Sequence, residues 1–249
     1  MTSFFEKGGY IGNSAAYPVT LVGNNIDPHF ANVSLLIGGE GTNSSTTFTD
    51  ESPEGNVVTV GGNAQVTTTN NLFSGGGILL DGTGDYLSIA ASAGHDFGTG
   101  DFTVECFSRM TSFTSGNQSL IAGVGATNGD WMIAHPFADD LQFGRSWVAW
   151  DAVTSGGTIS AGTWYHMAAS RVSGVLNLYI GGTRYYTGAN TQSYNITSTI
   201  AIGARQGASG VLSYGEFFNG QIQEARVTKG VGRYSGATIT VPTDRFPRQ

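Results

Sequence analysis

Glu105 and Glu224 stand in strand-like stretches of this 249-residue sequence, where a carboxylate could serve in catalysis. Retaining glycoside hydrolysis needs two carboxyl groups about 5 Å apart, and side chains two residues apart on a strand lie on the same face. Glu105 is followed by C-F-S-R and Glu224 by A-R-V-T, so neither has an acidic partner at such a step. The sequence therefore predicts no catalytic pair of this type.

Other enzyme motifs are also missing from the sequence. The nucleophile elbow G-x-S-x-G, the zinc-binding H-E-x-x-H, the C-x-x-C pair and the phosphate-binding G-x-x-x-x-G-K-S/T are absent. Cys106 is the only cysteine, so no intrachain disulfide can form. The four histidines, His29, His95, His135 and His166, share no metal-ligand spacing. The chain is therefore predicted not to be an enzyme and to have no catalytic residues.

The charge balance excludes two classes of partner. The chain has 11 Lys and Arg against 18 Asp and Glu, for a net charge of −7, and no basic stripe. Binding to a nucleic-acid backbone needs clustered cations that release counterions, and an anionic membrane surface attracts the same cations. No apolar run approaches the roughly 20 residues of a membrane span. We therefore expect neither nucleic-acid binding nor membrane insertion.

Aromatic side chains near predicted loops are the candidate binding groups. A sugar site combines an aromatic platform for the apolar face of the ring with polar groups that fix the hydroxyls. In S-W-V-A-W-D, Trp147 and Trp150 are predicted to point to opposite faces of a strand, so that one can be buried and the other exposed. The alternative is that these aromatics pack the core or an interface between subunits. The candidate set is Trp147, Trp150, Asp139, Asp140, Tyr185 and Tyr186.

A family resemblance is carried by four segments: L-D-G-T-G-D-Y-L-S-I (80–89), G-T-G-D-F-T-V-E (98–105), G-T-W-Y-H-M-A (162–168) and F-F-N-G-Q-I-Q-E-A-R-V-T-K-G-V-G-R-Y (217–234). In this order they resemble the concanavalin A-like, laminin-G-like jelly-roll domain, over residues 27–249. The version with T-K-G-V-G-R-Y and a short proline-bearing tail resembles modules of tailed-phage structural proteins. The resemblance implies a two-sheet fold but no particular ligand, because one fold hosts many functions.

The same resemblance raises the question of a metal ion. Laminin-G-like jelly rolls often hold one structural calcium, which needs several oxygen ligands. Gln223 stands where the family commonly has an acidic ligand, and this departure removes a charge from the site. Glu40 and Asp50 are the residues that could supply early ligands. We expect no cofactor, with a structural calcium held by Glu40, Asp50 and Gln223 as the open alternative.

Composition and periodicity predict an all-β fold. The chain has 38 glycines, only 12% charged residues and 39% hydrophobic residues, which suits many short strands joined by tight turns around a packed core. No long window has helical periodicity. Even-spaced strands with glycine corners predict a two-sheet antiparallel jelly-roll sandwich. The predicted strands are 34–37, 57–60, 64–67, 77–81, 86–89, 102–110, 119–122, 131–134, 141–144, 147–152, 164–172, 175–180, 183–186, 198–203 and 216–228.

The last predicted strand allows a sharper expectation. In folds of this type the terminal strand pairs beside the first and closes the sheet. Alternation places Ala225 and Val227 on one face, which we expect to be buried, and Thr228 on the opposite face, which we expect to tolerate change.

Residues 1–26 differ from the rest and are predicted to form an extended N-terminal arm, followed by one sandwich domain at 27–249. The arm contains Phe4, Phe5, Tyr10 and Ile11 among glycine and serine. It is either a flexible leader or a segment that docks on another subunit. The resemblance to phage structural proteins favours docking through these four residues.

The sequence as a whole predicts a non-enzymatic phage virion structural protein, either a capsid decoration or head fibre or a tail appendage. Its arm would join other virion subunits, and its jelly roll could adsorb to a surface glycan. The N-terminus has no secretion signal, which suits a homo-oligomeric virion component assembled in the host cytoplasm. The alternatives are a free carbohydrate-binding lectin and a glycosidase with an unrecognised site.

Overall fold

The structure is a computed structural model that describes residues 26–113, 117–135 and 140–249. The described residues form seventeen strands and two short 3-10 turns, at Phe30–Asn32 and Ala93–His95. The strands are β1 (Val33–Ile37), β2 (Val58–Gly61), β3 (Gln65–Thr67), β4 (Gly77–Asp81), β5 (Tyr86–Ala90), β6 (Phe102–Met110), β7 (Gln118–Val124), β8 (Trp131–His135), β9 (Gln142–Arg145), β10 (Ala149–Val153), β11 (Trp164–Val172), β12 (Val175–Ile180), β13 (Thr183–Ala189), β14 (Thr199–Ile202), β15 (Arg205–Ala208), β16 (Val211–Gly215) and β17 (Asn219–Lys229).

Two large antiparallel sheets pack face to face, which confirms the predicted jelly-roll sandwich. The first sheet has eight strands in the order β13-β12-β11-β6-β17-β4-β3, with β1 also paired to β17. The second has seven strands in the order β10-β9-β8-β7-β14-β5-β2. Strands β15 and β16 form a separate hairpin that contacts β7. No helix among the described residues is long and apolar enough to cross a membrane.

Alternating side chains explain the core between the sheets. On β5, Leu87 and Ile89 are buried, while Tyr86 and Ser88, which alternate with them, are only half-buried. Aromatic rings fill the centre, where Phe102 stacks on Phe97 with ring centroids 4.4 Å apart. Because side chains switch faces at each strand residue, one apolar set per strand builds the core.

A β-bulge in β17 keeps its apolar residues facing the core. Glu224 has φ 57°, and the pairing register between β17 and β6 shifts between Gln223 and Arg226. The extra residue changes the phase of alternation, so that Ile222 and Ala225 both pack in the core. The prediction that the last strand pairs beside the first is confirmed, because β1 pairs antiparallel with β17.

The outer face of the first sheet is covered by the C-terminal segment, residues 230–249. Phe246 packs against Phe107, and the guanidinium of Arg226 lies 3.7 Å from the Phe246 ring centroid. Ala225 and Val227 are buried as predicted, but Thr228 on the opposite face is also fully buried. The expectation that Thr228 would tolerate change is therefore wrong, because the Arg233 Nε donates to the Thr228 hydroxyl from this covering segment.

Two further predictions differ from the structure. The predicted strand 147–152 begins instead with a turn at residues 146–148, followed by β10. The hairpin β15–β16 was not predicted, because R-Q-G-A-S-G-V-L-S-Y-G has no clear apolar alternation. Both differences lie at the same surface of the second sheet.

Candidate functional site

A cleft of about 280 Å³ opens beside the turn between β9 and β10. Its floor belongs to the outer face of the second sheet, because Met132 alternates with the core residues Trp131 and Ile133 on β8. The lining residues are Met132, Arg145, Trp147, Val148, Ala149, Trp150 and Arg205.

Strand pairing sets the floor of the cleft. Trp150 on β10 pairs with Gly144 on β9, which pairs in turn with Met132 on β8. Gly144 is required there, since a Cβ at this position would lie 2.3 Å from the carbonyl oxygen of Ala149. Without a side chain at this position, the backbone of Ala149 and Trp150 can approach β9 closely.

Trp147 stands at the mouth of the cleft in an unusual conformation. Its φ is 58°, in the left-handed region that a bulky residue rarely adopts, and the residue is 44% exposed. Its Nε1 donates to the carbonyl oxygen of Gln206 at 3.1 Å. The guanidinium carbon of Arg205 lies 5.0 Å from the centroid of the Trp147 ring, a cation–π contact. These contacts hold a partly exposed indole at a fixed place.

The two tryptophans line the same cleft, so the prediction that they point to opposite faces is wrong. That prediction required both residues to lie on one regular strand. Trp147 lies instead in the turn, and the β9–β10 register shifts between Trp150 and Ala152. The turn breaks the alternation on which the prediction depended, because Trp147 lies outside the strand that holds Trp150.

Each arginine of the cleft is paired with a carboxylate. Arg145 donates through Nε and Nη2 to the two oxygens of Asp151, at 3.0 and 2.9 Å. The bond to Asp151 raises the pKa of Arg145 above its usual value, although burial opposes this. Arg205 makes the same two-pronged contact with Glu216 through Nε and Nη2. The cleft therefore has two guanidinium groups but no uncompensated charge from them.

The hairpin β15–β16 supplies Arg205 to the lining of the cleft and is anchored to the second sheet. Asn128 donates to the Ser209 hydroxyl at 2.9 Å and accepts from the backbone N–H of Gly210 at 2.8 Å. Tyr214 stacks on Tyr86 of β5, with ring centroids 3.9 Å apart. The hairpin thus places Arg205 against the Trp147 ring, although the two residues belong to separate segments of the chain.

The remaining predicted binding residues do not join this cleft. Asp140 precedes β9, whereas Trp147 follows it, and the Asp140 carbonyl oxygen accepts from the His135 ring at 2.9 Å. Tyr185 and Tyr186 lie on β13 of the first sheet and pack against the core. Asp139 lies outside the described residues. Sequence reasoning missed Arg205 because only the folded hairpin brings it to Trp147.

Glu105, the first carboxylate considered for catalysis, is fully buried on the outer face of β6. It accepts from Arg226 Nη2 at 2.7 Å, from the His166 ring Nε2 at 2.8 Å and from the Tyr234 hydroxyl at 2.8 Å. Burial raises the pKa of Glu105, but the charge of Arg226 and the bond from His166 outweigh burial and hold the pKa far below its usual value. This carboxylate binds the C-terminal segment to the sheet.

Glu224 has a similar structural role at the bulge of β17. Its side chain is fully buried and pairs with Arg245 and Arg248, each at 2.7 Å. It also accepts from the backbone N–H of Phe246 at 2.9 Å. Neither Glu105 nor Glu224 lines the cleft, so neither is placed to act on a ligand bound there.

Gln223 is satisfied by backbone groups of one loop. Its Oε1 accepts from the N–H of Leu72 at 2.8 Å, and its Nε2 donates to the carbonyl oxygens of Phe73 and Gly76, at 3.2 and 2.5 Å. The Gly76 carbonyl oxygen also accepts from Arg245 Nη2 at 2.9 Å. The amide of Gln223 and the guanidinium of Arg245 therefore already bind the carbonyl oxygens that could otherwise coordinate a cation.

Glu40 and Asp50, the other two candidate metal ligands, have separate partners. Glu40 pairs with Arg245 and Arg248. Asp50 accepts from the backbone N–H groups of Leu36 and Asn56, both at 2.8 Å. Within the described residues, no group of three or more His, Cys, Asp and Glu side chains is arranged to hold a metal ion. The predicted docking residues, Phe4, Phe5, Tyr10 and Ile11, lie outside the described residues.

Solved structures share this fold at low sequence identity. The binding domain of Paraclostridial Mosquitocidal Protein 1 aligns with a TM-score of 0.59 at 13% identity, over 80% of this chain and 49% of that one. The binding domain of botulinum neurotoxin DC in complex with SialylT gives a TM-score of 0.57 at 15% identity, over 80% and 48%. The chain thus spans about half the length of these toxin domains.

Another similar structure has nearly the same size as this fold. Domain 4 of AbnA, a GH43 extracellular arabinanase from Geobacillus stearothermophilus, in complex with arabinotriose, gives a TM-score of 0.59 at 16% identity. The alignment covers 80% of this chain and 93% of that one.

Among curated proteins, no sequence matches the chain. The concanavalin A-like lectin/glucanases model of the laminin-G type matches residues 81–231, more than half of the sequence. The chain therefore belongs to the concanavalin A-like lectin/glucanase superfamily.

Proposed function

We propose that this chain is a non-enzymatic carbohydrate-binding module that binds a glycan in the cleft between Trp147 and Trp150. The observation that carries the proposal is the conformation of Trp147. A bulky residue with φ 58° costs of order 1–3 kcal/mol, and such strain clusters at binding and catalytic sites. A glycine would fit this turn without that cost.

The chemistry of the cleft suits a sugar ring. An indole offers an apolar face to the C–H groups of a pyranose or furanose, and nearby polar groups fix the hydroxyls. The ring of Trp147 is held by Gln206 and by the Arg205 contact, so little freedom is lost when a ligand stacks on it. Two similarly folded proteins support this choice of ligand class: one structure contains arabinotriose and another SialylT.

Affinity measurements on tryptophan variants test the proposal. Soluble oligosaccharides are titrated into the full chain by calorimetry, and the best ligand is then compared across Trp147→Ala, Trp150→Ala and the control Trp164→Phe on the first sheet. An aromatic stacking contact of about 0.5–1.5 kcal/mol predicts a roughly 2- to 13-fold loss for each cleft variant. Unchanged affinity in both cleft variants would contradict the proposed site.

The absence of catalysis is part of the same proposal. The burial and ion pairs of Glu105 and Glu224 support it, because a glycosidase needs carboxylates that contact the substrate. The glycosidase alternative predicts release of reducing sugar from a bound polysaccharide. Sustained release that is lost in Glu105→Gln or Glu224→Gln would favour the enzyme.

For the biological setting, we propose a virion structural protein, placed as a capsid decoration, head fibre or tail appendage. The support is the resemblance of T-K-G-V-G-R-Y and the proline-bearing tail to tailed-phage modules. Residues 1–26 would attach the domain to other virion subunits, and the cleft would face outward. Antibody labelling of purified particles tests this placement, and a free lectin would leave the particles unlabelled.

A further inference from the structure

We infer that the cleft selects charge-neutral glycans over anionic ones; this rests on the proposed function and adds the ligand class. Arginine in a sugar site usually suggests recognition of a carboxylate or sulfate, because its planar fork matches those groups. Both arginines of this cleft already use that fork on a carboxylate of the chain itself.

Arg145 is neutralised by Asp151. Its Nε and Nη2 bind Asp151, whose side chain is only 8% exposed. The Tyr194 hydroxyl donates to the same carboxylate at 3.1 Å, so Asp151 is held in place by a second group. An anionic sugar would have to compete with a carboxylate that is already positioned and partly desolvated.

Arg205 is neutralised by Glu216. Its Nε and Nη2 bind the two oxygens of Glu216, and its plane lies over Trp147. One face of the Trp147 indole is thus occupied by a paired guanidinium, which leaves the other face for a ligand. Glu216 is the more exposed of the two carboxylates, at 28% for its side chain, and is therefore the one that a substitution can remove with least damage.

Both guanidinium groups keep a donor for neutral hydroxyls. Among the described atoms, none accepts from Nη1 of Arg145 or Arg205. An N–H of a paired guanidinium can donate to a hydroxyl oxygen without needing a charge on the ligand. The chain's net charge of −7 also repels anions at long range. These features together favour a neutral polyol.

The first experiment compares ligand classes on the full chain. The neutral probes are xylotetraose, cellotetraose, galactotetraose and arabinotriose; the anionic probes are sialyllactose and an oligogalacturonate. We expect binding within the neutral set. Its dissociation constant should change less than twofold between 50 and 500 mM NaCl, because salt screens interactions between charges and a neutral ligand carries none. Binding to the anionic set alone, weakened by salt, would overturn the inference but leave glycan binding intact. Binding of neither set would contradict the proposed function itself.

The second experiment changes the charge of the cleft. Glu216→Gln removes the partner of Arg205 and should raise affinity for sialyllactose or oligogalacturonate at least fivefold at 50 mM NaCl, with the gain lost at 500 mM. Glu54→Gln, an exposed glutamate away from the cleft, is the matched control and should gain nothing. Circular dichroism confirms that each variant folds. A folded Glu216→Gln with no gain for either anion would show that charge pairing does not set the selectivity.

Discussion

The strain at Trp147 can be measured by comparing two truncations that differ only in backbone freedom. Trp147→Ala and Trp147→Gly both remove the indole, its bond to Gln206 and its contact with Arg205. They differ because alanine still resists φ 58° and glycine does not. The difference in unfolding free energy between the two variants therefore isolates the backbone cost.

The magnitude follows from two opposing effects. A left-handed conformation costs an L-residue about 1–2 kcal/mol, whereas glycine loses about 0.4–1 kcal/mol more than alanine through the entropy of the unfolded chain. We expect Trp147→Gly to be more stable than Trp147→Ala by about 1 kcal/mol. For a domain of this size, that difference is about 2–4 °C in Tm.

Urea unfolding followed by circular dichroism measures the difference, with the neighbouring residue as a matched control. Val148 is 52% exposed and is not among the residues with positive φ. There, Val148→Gly should be less stable than Val148→Ala, the opposite sign. If Trp147→Ala equals or exceeds Trp147→Gly in stability, the turn is not strained and the reasoning that links Trp147 to binding fails.

The other predictions concern buried groups and the arm. Glu105→Gln should lose about 3 kcal/mol at pH 7, because it breaks a buried ion pair with Arg226. The pKa of Glu105 in the folded protein lies far below 4.5, so its contribution to the unfolding free energy is complete above pH 4.5 and declines as the pH falls. The unfolding free energy of the variant, measured by urea unfolding at a series of pH values, should therefore fall less steeply with acid than that of the unchanged chain, and an equal slope would contradict this. Chelation should leave Tm unchanged, because we expect no bound calcium. A calcium ion at a hundredfold excess over its Kd would add about 2.7 kcal/mol to the unfolding free energy, so a loss of that size on chelation would contradict this prediction. Gln223→Glu would place a carboxylate against the Gly76 carbonyl oxygen and should unfold at lower temperature unless millimolar calcium is added. Val227→Asp and Thr228→Asp should both abolish soluble expression, because both residues are fully buried; normal yield of either would show that the face is not closed. Deleting residues 1–26 should leave a folded sandwich, since Asp27 keeps its pairs with Arg226 and Arg233, but one that no longer joins its assembly; normal incorporation would show that the arm does not dock.

The architecture could be predicted from the sequence because it depends on local patterns. Alternation identified the core residues Ala225 and Val227 of β17, which are both buried. Glycine turns separated the strands, and four segments identified the family. Side-chain direction along a strand is set by neighbours one or two residues away, so the sequence records it directly.

Burial of polar faces could not be predicted in this way. Thr228 lies on the polar face of its strand, yet the C-terminal segment covers it. Glu105 is buried by partners such as Arg226, 121 residues away. Alternation distinguishes the two faces of a strand, but only the folded chain shows whether a second layer covers the outer one.

The candidate site required the tertiary structure most of all. The sequence placed Trp147 and Trp150 in a short aromatic stretch, which was enough to mark them as binding candidates. Their convergence depends on the turn at 146–148, which takes Trp147 out of the strand that holds Trp150. The anchor of Trp147 on Gln206 joins residues 59 positions apart and exists only because the hairpin β15–β16 folds against the second sheet. Local sequence therefore supplied the aromatic groups, whereas long-range packing decided which surface they share.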